Sequence, residues 1–367
     1  MLNSVIKKKE NIVESKENKV KTRITYIDTA KAIAIFLTIV SHSGLKYHPI
    51  NQFICSFHMP LFFFIAGWVN KNRTLNSKKE WIDFILKKIY TLFIPFILYS
   101  LIYAKGSNIS VYKYILYGTI FSLGKAGAIG VMWFLTCMFS ATIFYQIIIN
   151  IKSLIKNKYL KELVFIVVLV GCGFISSYFN YNRMPELGIP FNVNIALSAV
   201  IFMFAGNYAN KLYQLGITKM GIVFENKIVI FVISSIMLFI GSFLYKLNVE
   251  AFSFEKYDFG VVMAEAWYGN YIIFLINAII CSIGVVLFSI VIDNKFLAYF
   301  GKNTLIILYF HIQLLNLTET YIIKNLPNGT YKYFVNSIIV FLETGLIIPV
   351  INKFLPVLSG KGYSNNK

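Results

Sequence analysis

Residues 26–68 read YIDTAKAIAIFLTIVSHSGLKYHPINQFICSFHMPLFFFIAGW. Two apolar runs, each long enough to cross a membrane as a helix, are joined by a short loop. Lys31, His42 and His58 lie within them. Ionisable groups inside membrane helices are costly and by default mark function. Lys31 and His42 are eleven residues apart, which at about 100° per residue is close to three full turns. Both therefore lie on one helix face, separated along the axis by about 16 Å, and Thr38 shares that face. A polar seam on an apolar helix points into a bundle rather than at lipid. A snorkelling lysine and a hydrogen-bonded core histidine would give the same letters. The second imidazole, His58 on the neighbouring run, favours the seam.

Outside this stretch the chain is of the same kind. It has 367 residues, of which 57% are hydrophobic and 14% charged, with a mean hydropathy of +0.66. A soluble core of that composition would leave too much apolar surface, so the chain reads as an all-α integral membrane protein. About ten spans are predicted, at 30–48, 52–70, 82–103, 128–150, 161–180, 191–211, 227–246, 270–292, 297–317 and 333–355. The formal net charge of +19 does not point to nucleic acid, because Lys and Arg fall mainly in short gaps between apolar runs. With the N-terminus inside, twenty-five basic residues fall in cytoplasmic segments and nine in outer ones. That bias predicts a multi-pass plasma-membrane protein with both termini cytoplasmic.

Residues 1–25 are rich in Lys, Glu and Asn and read as a disordered basic cytoplasmic tail without a cleavage site for a signal peptide. Residues 26–358 form one membrane domain, and 359–367 a second cytoplasmic tail. The outer connection 104–127 reads as interfacial or re-entrant. The outer loop 247–269 carries Glu250, Glu255, Asp258 and Glu265 and reads as solvated rather than sugar-binding. Cys55, Cys137, Cys172 and Cys281 sit in apolar runs at no metal or disulfide spacing and read as small buried hydrophobes, so no metal is expected.

The pattern resembles the acyltransferase-3 family of integral membrane acyltransferases. In that family a basic residue, ten others and a His mark the first helix, here Lys31 and His42. Lys stands where the family more often has Arg, and it is a point charge where Arg grips bidentately. The family's second-helix signature matches Phe57 to Gly67 except at Ala66. Trp133, Phe134 and Leu135 resemble its W-F-L element. The run GKNTLIILYFHI, Gly301 to Ile312, resembles its late G-x-N-[ST]-L…Y…H motif, with Lys302, Asn303, Tyr309 and His311. Tyr268, Gly269 and Asn270 resemble a Y-G-N element of the fucose 4-O-acetylase-like branch, which also holds exopolysaccharide O-acetyltransferases. Lys87 and Lys88 leading to Pro95 resemble the family's third-helix entry.

The resemblance implies transfer of an acyl group, most simply acetyl, from cytoplasmic acyl-CoA to a hydroxyl of a cell-surface or lipid-linked glycan. Acyl-CoA is then a co-substrate, with no resident cofactor. The other expected partners are the glycan or lipid-linked saccharide acceptor, membrane lipid and a polysaccharide synthase complex. Lys31 would attract the donor phosphates, with Arg73, Lys87, Lys88 and Lys302 nearby; positive-inside topology alone also accounts for the last four. His42 would act as general base or carry the acyl group. His58 would orient His42 or serve as a second acid/base. Thr38, Trp133, Asn303, Tyr309 and His311 are candidate walls of the site; Trp133 reads equally as an interface anchor and His311 as a core histidine. No G-x-S-x-G elbow suggests a serine acyl-enzyme. Two other classes stay open: a polysaccharide exporter or lipid-linked sugar flippase, and a structural subunit of a glycan synthase. The sequence shows no paired discontinuous helices, which speaks against transport.

Overall fold

A computed structural model describes residues 24–45, 48–104, 130–183, 185, 188–220, 226–250, 260–327 and 329–361. These form helices α1 (Thr25–His42), α2 (Pro49–Cys55), α3 (His58–Trp68), α4 (Lys78–Lys88), α5 (Ile94–Ala104), α6 (Trp133–Leu154), α7 (Lys158–Tyr178), α8 (Val193–Met220) and α9 (Lys227–Glu250). They continue with α10 (Tyr271–Val291), α11 (Lys295–Gly301), α12 (Thr304–Tyr321) and α13 (Thr330–Phe354), followed by a short turn at Pro356–Ser359. Among the described residues there is no strand, only an isolated bridge between Val262 and Trp267. The all-α membrane class is therefore correct. The basic tail up to residue 23 and the 104–127 connection, except for Ala104, lie outside the described residues, as do Glu255 and Asp258.

Every predicted span is helical over most of its length, and among the described residues eight helical stretches are long and apolar enough to cross a membrane. The other two, α1 and α12, are 18 residues long and carry the polar seam residues. Two predicted spans are interrupted. The second divides into α2 and α3 at Ser56 and Phe57, where Phe57 has φ −145°. Pro60 explains this, since it has no N–H to bond the Ser56 carbonyl one turn back. Asn277 of α10 donates to Ser56 Oγ at 2.7 Å and ties the break to the bundle. The ninth span divides into α11 and α12 at Lys302 and Asn303. The expectation that no discontinuous helices occur is thus corrected, and helix continuity no longer argues against transport. In the third span a π turn, Ile89–Phe93, joins α4 to α5 directly ahead of Pro95 and absorbs its missing donor.

Helix α1 sits at the centre and packs against α3, α10, α11, α12 and α13. Its Ile27, Ala30 and Ala34 enter a core shared with α3, α6, α8 and α10. Its Ala32, Ile35 and Ile39 enter a second core with α5, α12 and α13. Both sets follow the i, i+3, i+7 spacing of one helical stripe. At 100° per residue the Lys31, Thr38, His42 line falls between these two stripes. The polar seam therefore runs where the two halves of the bundle meet. Close approach sets the fit. A Cβ on Gly301 would lie 1.7 Å from the Asp28 carbonyl oxygen, so α11 lies directly on the start of α1.

Candidate active site

His42 is the last residue of α1. Its Nδ1 lies 2.8 Å from the Thr38 carbonyl oxygen and 3.3 Å from Ser41 Oγ. His58 Nδ1 lies 2.9 Å from the Ile54 carbonyl, across the break between α2 and α3. His311 Nδ1 lies 2.8 Å from the Leu308 carbonyl and 3.2 Å from that of Ile307. A carbonyl only accepts, so each Nδ1 carries the proton. In each neutral ring Nε2 is then the basic nitrogen. Three histidines from three helices are locked into the tautomer a general base requires.

Tertiary structure brings them together. The His42 and His311 rings meet edge to face, with centroids 5.1 Å apart. His58 lies close enough to His42 for the two to interact electrostatically. His58 and His311 are buried, and His311 Nε2 has no hydrogen-bond partner among the described residues. The expectation of a buried His42 needs correcting: it is exposed at the end of α1, with its ring against the buried His311. It ends α1, so no further turn of that helix covers it.

The other seam residues have defined places. Thr38 is buried, and its hydroxyl donates to Ala34. Its carbonyl, not its side chain, holds His42. Lys31 is half-buried, and its ammonium lies 3.6 Å from the buried Asp28 carboxylate one turn earlier. The lysine taken as a free phosphate attractor is thus already ion-paired. Asp28 escaped the sequence reading, although an acid three residues before a lysine on one helix is a visible pairing signal.

Trp133 is buried in the first core, with Asn192 donating to its carbonyl. Tyr309 is buried and stacks on Tyr99 with ring centroids 3.4 Å apart. Asn303 is buried and donates to the Tyr299 carbonyl, while its Oδ1 accepts from Asn352 at 3.0 Å and from Lys361 at 2.7 Å. It thus anchors the C-terminal strap at the α11–α12 junction. Of the remaining basic candidates, Arg73 is ion-paired with Glu80, which also closes the capping box of Ser77 at the start of α4. Lys88 is half-buried near the Phe84 ring, and Lys87 and Lys302 are exposed.

The arrangement offers a basic imidazole nitrogen at the exposed end of α1 and a second ring against it, with a third imidazole on the neighbouring α3. No group of His, Cys, Asp and Glu that would hold a metal occurs among the described residues. The model of the acyltransferase-3 family, described as an acyltransferase domain, matches residues 24–351. The chain belongs to that family. No curated protein matches it in addition. The acyltransferase thus spans both cores and all three histidines with its family match, and the seam on α1 lies inside it. Membership supplies the reaction class that helix continuity left open: the chain is an acyltransferase.

Proposed function

We propose that this acyltransferase moves an acetyl group from cytoplasmic acetyl-CoA to a hydroxyl of a glycan or lipid-linked saccharide at the outer face of the plasma membrane. The observation that carries this reading is His42. Its Nδ1–H is committed to the Thr38 carbonyl, so its Nε2 lone pair is available at the exposed end of α1. His42 Nε2 takes the proton of the acceptor hydroxyl while that oxygen attacks the thioester carbonyl. The tetrahedral intermediate collapses, the C–S bond breaks, and the leaving thiolate receives the proton from the imidazolium. The ester and free CoA thiol result, and the histidine returns to its starting tautomer. His58 and His311 place two further imidazoles beside this path. Thr38 acts through its carbonyl as a positioning residue. The long pantetheine arm suits a donor that enters from the inner face and a thioester that reacts near the outer end of the seam.

The test is transfer of labelled acetyl from acetyl-CoA to glycan in membranes with matched protein levels. His42→Ala is expected to lower the rate by about 10²–10⁴, the usual cost of losing a general base. Near-normal transfer by that variant would remove His42 from the chemistry. Loss of O-acetyl esters from surface glycans on deletion of the protein would support the acceptor class, and unchanged esters would overturn it.

A further inference from the structure

A cavity of about 390 Å³ opens at the end of the bundle that the charge bias assigns to the cytoplasm. It lies where the start of α1, the end of α3 and the last turns of α8 converge. Its lining has three chemical parts. Half-buried Tyr26 forms an aromatic wall, backed by the buried Trp68, whose Nε1 donates to Tyr26 Oη at 3.3 Å. Asparagines form the floor and are locked to one another. Asn72 Nδ2 donates to Asn207 Oδ1 at 2.7 Å, Asn207 Nδ2 to the Asn70 carbonyl at 2.7 Å, and Asn210 Nδ2 to the Trp68 carbonyl at 2.9 Å. Lys71 and Lys211 stand exposed on the rim, and no acidic side chain lines the cavity.

The floor bonds leave particular groups over. Asn70 Nδ2 donates to no described residue, and Gln214 Oε1 accepts from none; Gln214 instead donates from Nε2 to Asn210. An amide donor and an amide acceptor beside aromatic rings are the elements that read the edge and face of a purine. Side-chain amides pair with the adenine edge, and aromatic rings stack on bases. Two ammonium groups without acidic neighbours suit phosphate. Lys71 has no ion pair among the described residues, and Lys211 only overlies the Tyr208 ring, at 5.1 Å. A lipid headgroup would use the lysines but would leave the aromatic wall and amide floor unexplained.

Tyr26 lines the cavity sixteen residues before His42, about 24 Å lower along α1.

We infer that this cavity seats the adenosine-phosphate head of the CoA donor, with Tyr26 against the base and Lys71 and Lys211 on the phosphates. The inference rests on the donor assignment made above. It also reassigns the phosphate contacts: Lys71 and Lys211 take the role first given to Arg73, whose guanidinium is engaged by Glu80.

The test uses the full chain purified into nanodiscs, with CoA and adenosine 3′,5′-bisphosphate as probes. Wild type is expected to bind CoA, and the bisphosphate to compete with it, while inorganic phosphate at the same concentration does not. Lys71→Glu and Lys211→Glu, both exposed and without an ion pair among the described residues, are each expected to weaken CoA binding about tenfold at an unchanged thermal midpoint. An azido-adenosine form of the bisphosphate is expected to crosslink to the peptides carrying Tyr26 or Trp68. Wild type that binds no CoA would overturn the donor assignment and the cavity with it. Wild type that binds CoA while both reversals leave affinity unchanged, or whose crosslinks map elsewhere, would overturn the cavity alone. Equal competition by inorganic phosphate would reduce it to a phosphate site and overturn the nucleotide assignment.

Discussion

Each histidine of the site is held by the carbonyl of its own preceding turn, so tautomer is a local property of the helix. Proximity among the three rings is not local. His311 shows the difference: its Nε2 is buried without a described partner and its ring touches His42. His311→Phe keeps a ring against His42 and removes that nitrogen. It is expected to lower acetyl transfer at least tenfold at normal protein levels; an unchanged rate would leave His311 a packing role. Lys31 needs a different test because of Asp28. Lys31→Ala removes the ammonium 3.6 Å from the buried Asp28 carboxylate, so lower stability is expected alongside weaker donor binding. Lys31→Arg is expected to preserve both. A thermal midpoint that does not change in Lys31→Ala would show that the ion pair carries no stability.

Among elements, α3 and α8 meet backbone to backbone at two glycines. A Cβ on Gly67 would lie 1.8 Å from the Met203 carbonyl oxygen, and one on Gly206 would lie 2.0 Å from that of Phe64. Small residues at a crossing let two membrane helices meet backbone to backbone. Gly206→Ala is therefore expected to separate α3 from α8 and cost at least 1–3 kcal/mol, the usual range for overpacking. Fluorescence-detected size exclusion after a heat step would read it; an unshifted melting profile would refute the close crossing. Helix α3 carries His58 at its first position, so the same variant is expected to reduce transfer without touching the histidines.

Among the described residues, two large apolar cores flank α1, and the C-terminal turn at Pro356–Ser359 packs against one of them. Leu358 of the strap is buried, and Lys361 donates to Asn303 and Asn352. A chain ending at Phe354 is expected to lose that packing and unfold at lower temperature; an equal midpoint would make the strap dispensable. The orientation of the bundle is tested separately. A thiol introduced at Ser77 in a chain without cysteines is expected to resist an impermeant reagent in intact cells. Labelling there would refute the orientation drawn from the basic residues.

Much of this was legible in the letters. Apolar length and the scarcity of charge dictate membrane helices, because an unsatisfied backbone has no other solution in lipid. The eleven-residue interval from Lys31 to His42 sets one helix face, because helical geometry is local. The motif residues from Phe57 to Gly67 and from Gly301 to His311 pointed to the family that the match to residues 24–351 establishes. Other features depended on packing across the bundle. Nothing in the interval between His42 and His311 says that their rings touch, since that contact joins residues 269 apart through the crossing of α1 and α12. The asparagine-floored cavity likewise draws on α1, α3 and α8, and its lysines look in sequence like any others in a cytoplasmic loop. Periodicity tells which face of a helix is polar. Which other polar face it meets is settled by how the two cores close around α1, and that depends on the summed fit of many side chains.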